Sequence, residues 1–363
     1  KPDRRQRQMC IRDSFHPPAP ILGLVRQRDL RTHMSRLDMD AYRAHTDRPA
    51  SETSHPIVVI GAGLAGAVAA RLLADHGFDV VVLDKGRRVG GRCSRRALDD
   101  VVVTHGARHV HDWPEWMTAW CDGENNVMVH DGSTTSLRLM DGPETIAGWL
   151  NGIDVVTGTT VVRIEQSDDQ WHVHDEEGNR WEATGVVVTA PLPQLHRMMP
   201  GAPESWSNHA YRPTWSLVLA HGTPPPAAFR PTLENLGFEV EESDGTTGAV
   251  VHFPHDWSQS HLEDERTDVV QAFMDMTSGV DNEVLDWLKS ATCQSHRWRY
   301  GRADALGVES AFPRLVEAGD AWETPVGTGG AALRSGAWAA AHMAWQCSQH
   351  LRPASAPVQQ TLF

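Results

Sequence analysis

The segment from Pro56 to Asp84 constrains the fold of this chain more than any other stretch. Ile57-Val58-Val59-Ile60 is a β-branched run suited to a strand buried on both faces. Gly61-Ala62-Gly63-Leu64-Ala65-Gly66 follows at once, then Ala67 to His76 at helical apolar spacing with Gly77 as the stop. Val80-Val81-Val82-Leu83 reads as a second buried strand ending at Asp84. A strand, a Gly-rich turn, a helix and a second strand within about thirty residues form a β–α–β unit. GxGxxG carries little information in isolation; between a strand and a helix it marks a phosphate-binding turn. Gly61 permits the tight turn, Gly63 lets a pyrophosphate approach the backbone, and Gly66 lets helix and strand pack closely. The helix N-terminus supplies N–H donors to the phosphates, and Ala62 and Ala65 belong to the same turn. Asp84, at the end of the second strand, is placed to accept hydrogen bonds from a ribose diol.

Charge and composition remove several classes of function. The 363 residues carry a formal charge of -14, which argues against nucleic acid as a partner. Ile57 to Ala70 is the longest nearly uncharged apolar run, too short and too glycine-rich to cross a bilayer. Cys10, Cys93, Cys121, Cys293 and Cys347 show no paired spacing, so they read as reduced thiols in a cytoplasmic protein. Residues 1–50 hold Lys1 and ten Arg against six Asp, with Pro17-Pro18 and no apolar period or signal-peptide core. Residues 1–54 are therefore expected to be a disordered or artefactual extension, and 351–363 a flexible tail.

Further along, Val161 to Glu165, Trp171 to Asp175 and Arg180 to Ala183 alternate between polar turns and predict a three-stranded antiparallel meander. Val186 to Thr189 returns as a buried strand. Residues 197 to 292 mix short strands, Ser216 to Ala220 and Ala249 to Phe253, with helices over Asp264 to Met276 and Asn282 to Ser290. Arg314 to Glu317 reads as a strand leading into Gly319-Asp320, and Gly327-Thr328-Gly329-Gly330 opens a long Ala-rich helix. The expected fold is α/β: a Rossmann-like dinucleotide-binding domain with an inserted antiparallel substrate domain. The expected boundaries are 55–111, 145–196 and 300–350 for the first, and 112–144 and 197–299 for the second.

Gly90-Gly91-Arg92, just beyond Asp84 and Lys85, decides which dinucleotide is expected. A plain nicotinamide-binding domain has no need of a second glycine turn with a guanidinium aimed at phosphate. Asp320 adds an acceptor for a polyol. Phosphate- and polyol-binding elements spread through the chain fit an extended, non-covalently held FAD. No Cys lies where attachment at the isoalloxazine edge can be argued.

These stretches give the chain a resemblance, over residues 55 to 345, to the FAD-dependent renalase-like group of the flavin amine oxidase superfamily. It is carried by Val58 to Gly66, Leu83-Asp84-Lys85-Gly86, Gly90-Gly91-Arg92, His105-Gly106-Ala107, VVVTAPLPQ (Val186 to Gln194), VHFPHDWSQSHL (Val251 to Leu262), HRWRY (His296 to Tyr300) and Gly319-Asp320-Ala321-Trp322. The sequence departs from the family pattern at Thr104 and at Arg108-His109-Val110. The resemblance implies FAD contacts from His105, Gly106, Ala107, Val161, Gly319, Asp320, Gly330 and Ala331, beside Gly61, Ala62, Gly63, Ala65, Gly66, Asp84, Lys85, Gly91 and Arg92. It also implies oxidation of mis-reduced nicotinamide dinucleotides, with the hydride at ring positions 2 or 6, by molecular oxygen.

The residues are consistent with such chemistry, since a dihydropyridine that loses hydride regains aromaticity and needs no base. Alternation on the strand Gln294 to Tyr300 puts His296, Trp298 and Tyr300 on one face and Arg297 and Arg299 on the other. His105, His296, Trp298, Arg299 and Tyr300 are the candidate substrate contacts, the Arg face for substrate phosphates. No HExxH motif or Cys/His quartet exists, so no metal is expected. Two other readings stay open: a flavin amine oxidase acting on a small amine, for which only Lys289 is late enough to be the flavin lysine, and a non-catalytic FAD-binding module. A monomer or homodimer is expected.

Overall fold

A computed structural model describes residues 55–121, 126–131, 134–277, 279–309 and 312–350. The expectations for residues 1–54 and 351–363 lie outside these. The chain begins with β1 (Ile57–Ile60), α1 (Leu64–Asp75) and β2 (Val80–Asp84). Next come β3 (Arg95–Leu98), β4 (Val101–Thr104), β5 (His109–Val110), β6 (Asn126–Asp131), β7 (Thr134–Leu139), α2 (Gly142–Trp149) and β8 (Asp154–Thr157). The expected meander follows as β9 (Val161–Ser167), β10 (Gln170–Asp175) and β11 (Arg180–Ala183), then β12 (Gly185–Val188) and α3 (Leu192–Met198). The middle region holds β13 (Tyr211–His221), α4 (Arg230–Asn235), β14 (Glu239–Ser243), β15 (Thr246–His252), α5 (His255–Ser260), α6 (Arg266–Met276), α7 (Asn282–Ser290) and β16 (Thr292–Ala303). β17 (Leu315–Glu317) and α8 (Gly329–His350) complete it.

The apolar runs that read as doubly buried strands are the centre of one parallel sheet, in the order β17-β12-β1-β2-β8. β1 and β12 are buried at every position, as strands covered on both faces must be. α1 and α8 cover one face through Val59, Val82, Val187 and the alanines of both helices. They approach closely: a Cβ on Gly336 would lie 2.3 Å from the Ala65 carbonyl oxygen. The meander covers the other face, burying Ile164, Trp171 and Val173 against Val58, Ile60 and Val186.

A second, antiparallel sheet has the order β14-β15-β13-β16. Trp215, Leu217, Leu219 and Val251 on one face pack against Phe273, Val284 and Leu288 of the helices. Val218, Ala220 and Val250 on the other face meet Leu98 and Val103 of the β3–β4 hairpin. Segment 112–144, expected in the substrate domain, has its large side chains elsewhere: Trp113, Met117, Trp120, Leu137 and Leu139 join the core of the parallel sheet. Their indoles and aliphatic groups find apolar cover beside α1, α2 and α8, which linear spacing does not reveal.

Candidate dinucleotide and substrate site

The glycine turn after β1 has the geometry its spacing predicts. Gly61 adopts a φ of 104°, open to glycine. A Cβ on Gly66 would sit 1.8 Å from the Gly61 carbonyl oxygen, so helix and turn touch through backbone alone. Gly90-Gly91 docks on this turn: Gly90 N–H donates to the Ala62 carbonyl at 2.9 Å, and a Cβ on Gly91 would lie 3.0 Å from the Gly63 Cα. A Cβ on Gly63 would instead meet only Gly91 Cα, at 3.8 Å. The two turns form a cradle walled by backbone, and α1 begins there at Gly63 with no side-chain cap on its first-turn amides. Such a cradle fits a pyrophosphate, which needs close backbone approach and N–H donors.

Asp84 closes the cradle from the side. Its carboxylate accepts from Ala62 N–H and Gly86 N–H, both at 2.6 Å. A carboxylate has about four lone-pair sites, so two acceptor positions stay open for ribose hydroxyls. Burial raises the Asp84 carboxyl above its ordinary range although these amides oppose the rise. Lys85 is exposed and Ala65 buried. Val161 starts β9 just after Thr159, whose N–H donates to the Asp84 carbonyl, but its own side chain is buried in the core beneath the sheet.

Arg92 corrects one expectation. Its guanidinium does not stand free for phosphate; it pairs bidentately with Asp320 at 2.7 Å on both arms and donates to the Gly301 carbonyl. Asp320 also accepts from Ala303 N–H at 2.9 Å. Burial opposes ionisation of Asp320, yet Arg92 holds the carboxyl below its usual range. The two residues, far apart in sequence, act as one clamp that ties the Gly90-Gly91-Arg92 turn to β16 and Gly319. The neighbouring segments lock onto the same turn: Ala107 N–H donates to the Arg92 carbonyl at 2.7 Å, and a Cβ on Gly106 would lie 2.2 Å from that oxygen. Gly319 N–H donates to Ser335 Oγ, and Gly330 N–H to the His111 carbonyl. Ala331 N–H is capped by Thr328 Oγ1 at the start of α8.

Beyond the clamp, His105, His296 and Trp298 converge. Ring centroids are 4.8 Å apart for His105–His296, 5.3 Å for His105–Trp298 and 4.2 Å for His296–Trp298. Arg96 Nη2 donates to His296 Nδ1 at 2.8 Å; Arg has no acceptor, so His296 is neutral with its proton on Nε2. Burial first, then Arg96 and His252, push His105 down to about 4. Burial first, then His105, Arg96 and Arg266, push His296 down to about 3. Trp298 Nε1–H donates to Ser216 Oγ at 3.2 Å, which is 2.7 Å from His252 Nδ1. The cluster is thus an uncharged aromatic surface with fixed ring orientations.

Arg297 and Arg299 share the face opposite His296 and Trp298, as the alternation predicts, but that face packs against helices instead of opening to a phosphate. The β13–β16 register shifts between Arg212 and Thr214, and Tyr300 meets Tyr211 edge-on with centroids 5.4 Å apart. Arg299 does not stand free for a phosphate: both arms bind Glu263, at 2.6 and 2.7 Å. Arg297 donates to the Leu262 carbonyl at 2.7 Å and lies over Trp215. Both arginines point to the helix-covered face, where Glu263 neutralises them. Arg108, one of the departures from the family pattern, is buried and bound to Glu239 and Glu241 at 3.2 and 3.0 Å. It lines a cleft of about 340 Å³ with His109, Arg138, Arg230, Phe238 and Glu239. Ser216, His252 and Arg96 were not legible as site residues; only strand alternation from His296 to its partner Ser216 offers a signal, and that needs the pairing.

Among the described residues, no helix is long and apolar enough to cross a membrane. Residues 59–122 match the NAD(P)-binding Rossmann-like domain family. Short stretches are similar to curated proteins: 50% identical over 50 residues to zeta-carotene-forming phytoene desaturase of Myxococcus xanthus, 14% of this chain and 10% of that one. A flavin-containing monooxygenase, FMO GS-OX-like 2 of Arabidopsis thaliana, is 52% identical over 46 residues, 13% of this chain and 10% of that one. L-amino-acid oxidase of Mus musculus is 50% identical over 44 residues, 12% and 7%. The chain thus aligns with about a tenth or less of the length of these relatives. The solved structure of the Diels-Alderase PyrE3 of pyrroindomycin biosynthesis superposes with a TM-score of 0.52 at 17% identity, over 82% of this chain and 66% of that one, a likeness of fold alone. The segment 59–122 is a Rossmann-like dinucleotide-binding unit of the kind that flavin-dependent oxidoreductases carry.

Proposed function

We propose that the protein is an FAD-dependent oxidase that removes hydride from a dihydronicotinamide dinucleotide carrying it at ring position 2 or 6. The observation that supports this reading best is the neutral ring cluster of His105, His296 and Trp298 beside the Arg92–Asp320 clamp. The Gly63–Gly91 cradle would hold the pyrophosphate, Asp84 a ribose, and the Asp320 region the polyol. When bound, FAD supplies a two-electron acceptor that dioxygen reoxidises with release of hydrogen peroxide. The chain's own contribution is placement: Trp298, fixed through Ser216, offers a flat surface on which a dihydropyridine can stack, so that only some ring carbons reach a reactive position. Two imidazoles kept neutral by burial add no positive charge against the pyridinium that forms. Arg96 donates to His296 Nδ1, and that donation keeps this nitrogen from protonating.

The amine-oxidase reading is less well supported. Among the described residues the lysines are Lys85, exposed beside the cradle, and Lys289, in the last turn of α7; neither joins the ring cluster. The purified protein is expected to be yellow and to release intact FAD on acid precipitation. Anaerobic mixing with 2- or 6-dihydro NAD(P) isomers should bleach the flavin rapidly, and 4-dihydro NADH or small amines should not. Rapid bleaching by amines alone would replace this reading with an amine oxidase. Bleaching by dithionite and nothing else would leave a non-catalytic FAD-binding module.

A further inference from the structure

We infer that His252 is a substrate contact that donates its Nε2–H to the carboxamide oxygen on the reacting ring, and that Ser216 positions it to do so. That the oxygen belongs to a carboxamide rests on the dihydronicotinamide reading; the donor itself rests on strand register and hydrogen-bond direction. His252 of β15, Ser216 of β13 and His296 of β16 lie side by side across three strands of the second sheet. Residues paired in this way share one face. Two residues along, the same face is covered by the β3–β4 hairpin, which packs Leu98 and Val103 on Val250 and Val218. Two further along the contact is tighter still: a Cβ on Gly248 would lie 2.9 Å from Val103 Cγ2. The hairpin stops short of the His252 row, and His252 is exposed. Its neighbours there are Ser216 and, on the adjoining row, Trp298 opposite Thr214.

The hydrogen bonds between these residues run in one direction. An indole N–H only donates, so Trp298 gives its proton to Ser216 Oγ at 3.2 Å. Ser216 is fully buried and has one proton of its own to place; His252 Nδ1, 2.7 Å away, accepts it. Neutral His252 therefore carries its proton on Nε2, an N–H with no partner among the described residues. A bond to an indole N–H lies near the indole plane, so Ser216 and His252 border the edge of the surface on which a ring would stack. His296 is enclosed, edge-on to both His105 and Trp298, whereas His252 stands outside that stack. Stacking alone leaves a flat ring free to turn in its own plane, and each turn brings a different carbon to the reactive position. One donor at the edge, bonded to the carboxamide oxygen, removes that freedom. His252 thereby selects the ring carbon that gives up hydride, and Ser216 fixes the tautomer that makes it a donor.

The test titrates FAD-loaded protein with NAD+, the product of the proposed reaction, and with pyridine adenine dinucleotide, its analogue lacking the carboxamide, and follows flavin absorbance. The native protein is expected to bind NAD+ about tenfold more tightly, the size of one hydrogen bond. His252→Phe keeps an aromatic ring and removes the N–H; because His252 is exposed, the variant is expected to fold, and it should bind the two dinucleotides equally. A purely structural His252 would weaken both and leave the tenfold ratio standing. Ser216→Ala frees the tautomer and should cut the ratio to about threefold. A ratio near one in the native protein, a tenfold ratio that survives in His252→Phe, or no binding of NAD+ up to millimolar concentration overturns the donor. Should His252→Phe fail to fold, an undiminished ratio in Ser216→Ala overturns it instead. If no dihydro isomer bleaches the flavin while the ratio still collapses in His252→Phe, the oxidase reading falls and the donor stands.

Discussion

Asp84 and Asp320 are both carboxylates held by protein donors, and those partners set different costs for losing them. Asp84 satisfies two backbone amides, Ala62 and Gly86. Asp84→Ala is expected to destabilise the protein by about 2 kcal/mol, since buried donors left unpaired cost on the order of 1–3 kcal/mol. FAD retention should fall with it; unchanged retention on gel filtration would place the ribose elsewhere. Asp320 is the buried half of an ion pair whose Arg92 side chain is 35% exposed. Asp320→Asn keeps the shape and removes the charge. Breaking a buried pair costs about 3–5 kcal/mol, and the partial exposure of Arg92 puts the expected loss near the lower end, about 3 kcal/mol. Denaturant unfolding would measure it, and a loss under about 1 kcal/mol would mean that Arg92 finds solvent without penalty.

At the scale of elements, the glycines of the first turn divide by what a side chain would strike. Gly66 meets backbone, so Gly66→Ala must shift α1 against β1 and is expected to lower Tm markedly. Gly63 meets only Gly91 Cα at 3.8 Å, which leaves a side chain pointing into the cradle. Gly63→Val is therefore expected to keep the fold and lose FAD. Circular dichroism together with flavin absorbance separates the two outcomes; a folded, yellow Gly63→Val protein would contradict the cradle. The β–α–β unit was legible because its periodicity and its glycines are local facts. Strand β16 was legible as a strand, but its irregularity opposite Arg212 and Thr214 was not, because bulges arise from pairing between distant segments.

Across the whole molecule, histidine burial links stability to pH. His105 is held at about 4, His296 at about 3 and His342 at about 4, all chiefly by burial. The unfolded chain gains these protons near pH 6.5, whereas the folded protein resists until about pH 4. Stability from these groups is thus complete above about pH 6.5, declines as pH falls through 4 towards 3, and levels off below about 3. Tm should drop between pH 7 and 5, by about 2–4 °C for each kcal/mol lost. His342→Gln, which keeps an amide near Gln346, should show a shallower decline. An identical slope in the variant would show that His342 is not held neutral.

The sequence by itself determined the parallel sheet, the meander, the glycine turn and the presence of Asp84, because each follows from local period or from backbone conformations that only certain residues adopt. It also brought His296 and Trp298 onto one strand face. Tertiary structure decided which charges meet. Arg92 closes on Asp320, Arg299 and Arg297 turn to Glu263, Arg108 is held by two glutamates, and Arg96 donates to the His296 imidazole. Ion pairing depends on which segments pack side by side, and that information lies in the fold as a whole, not in the spacing of residues along the chain.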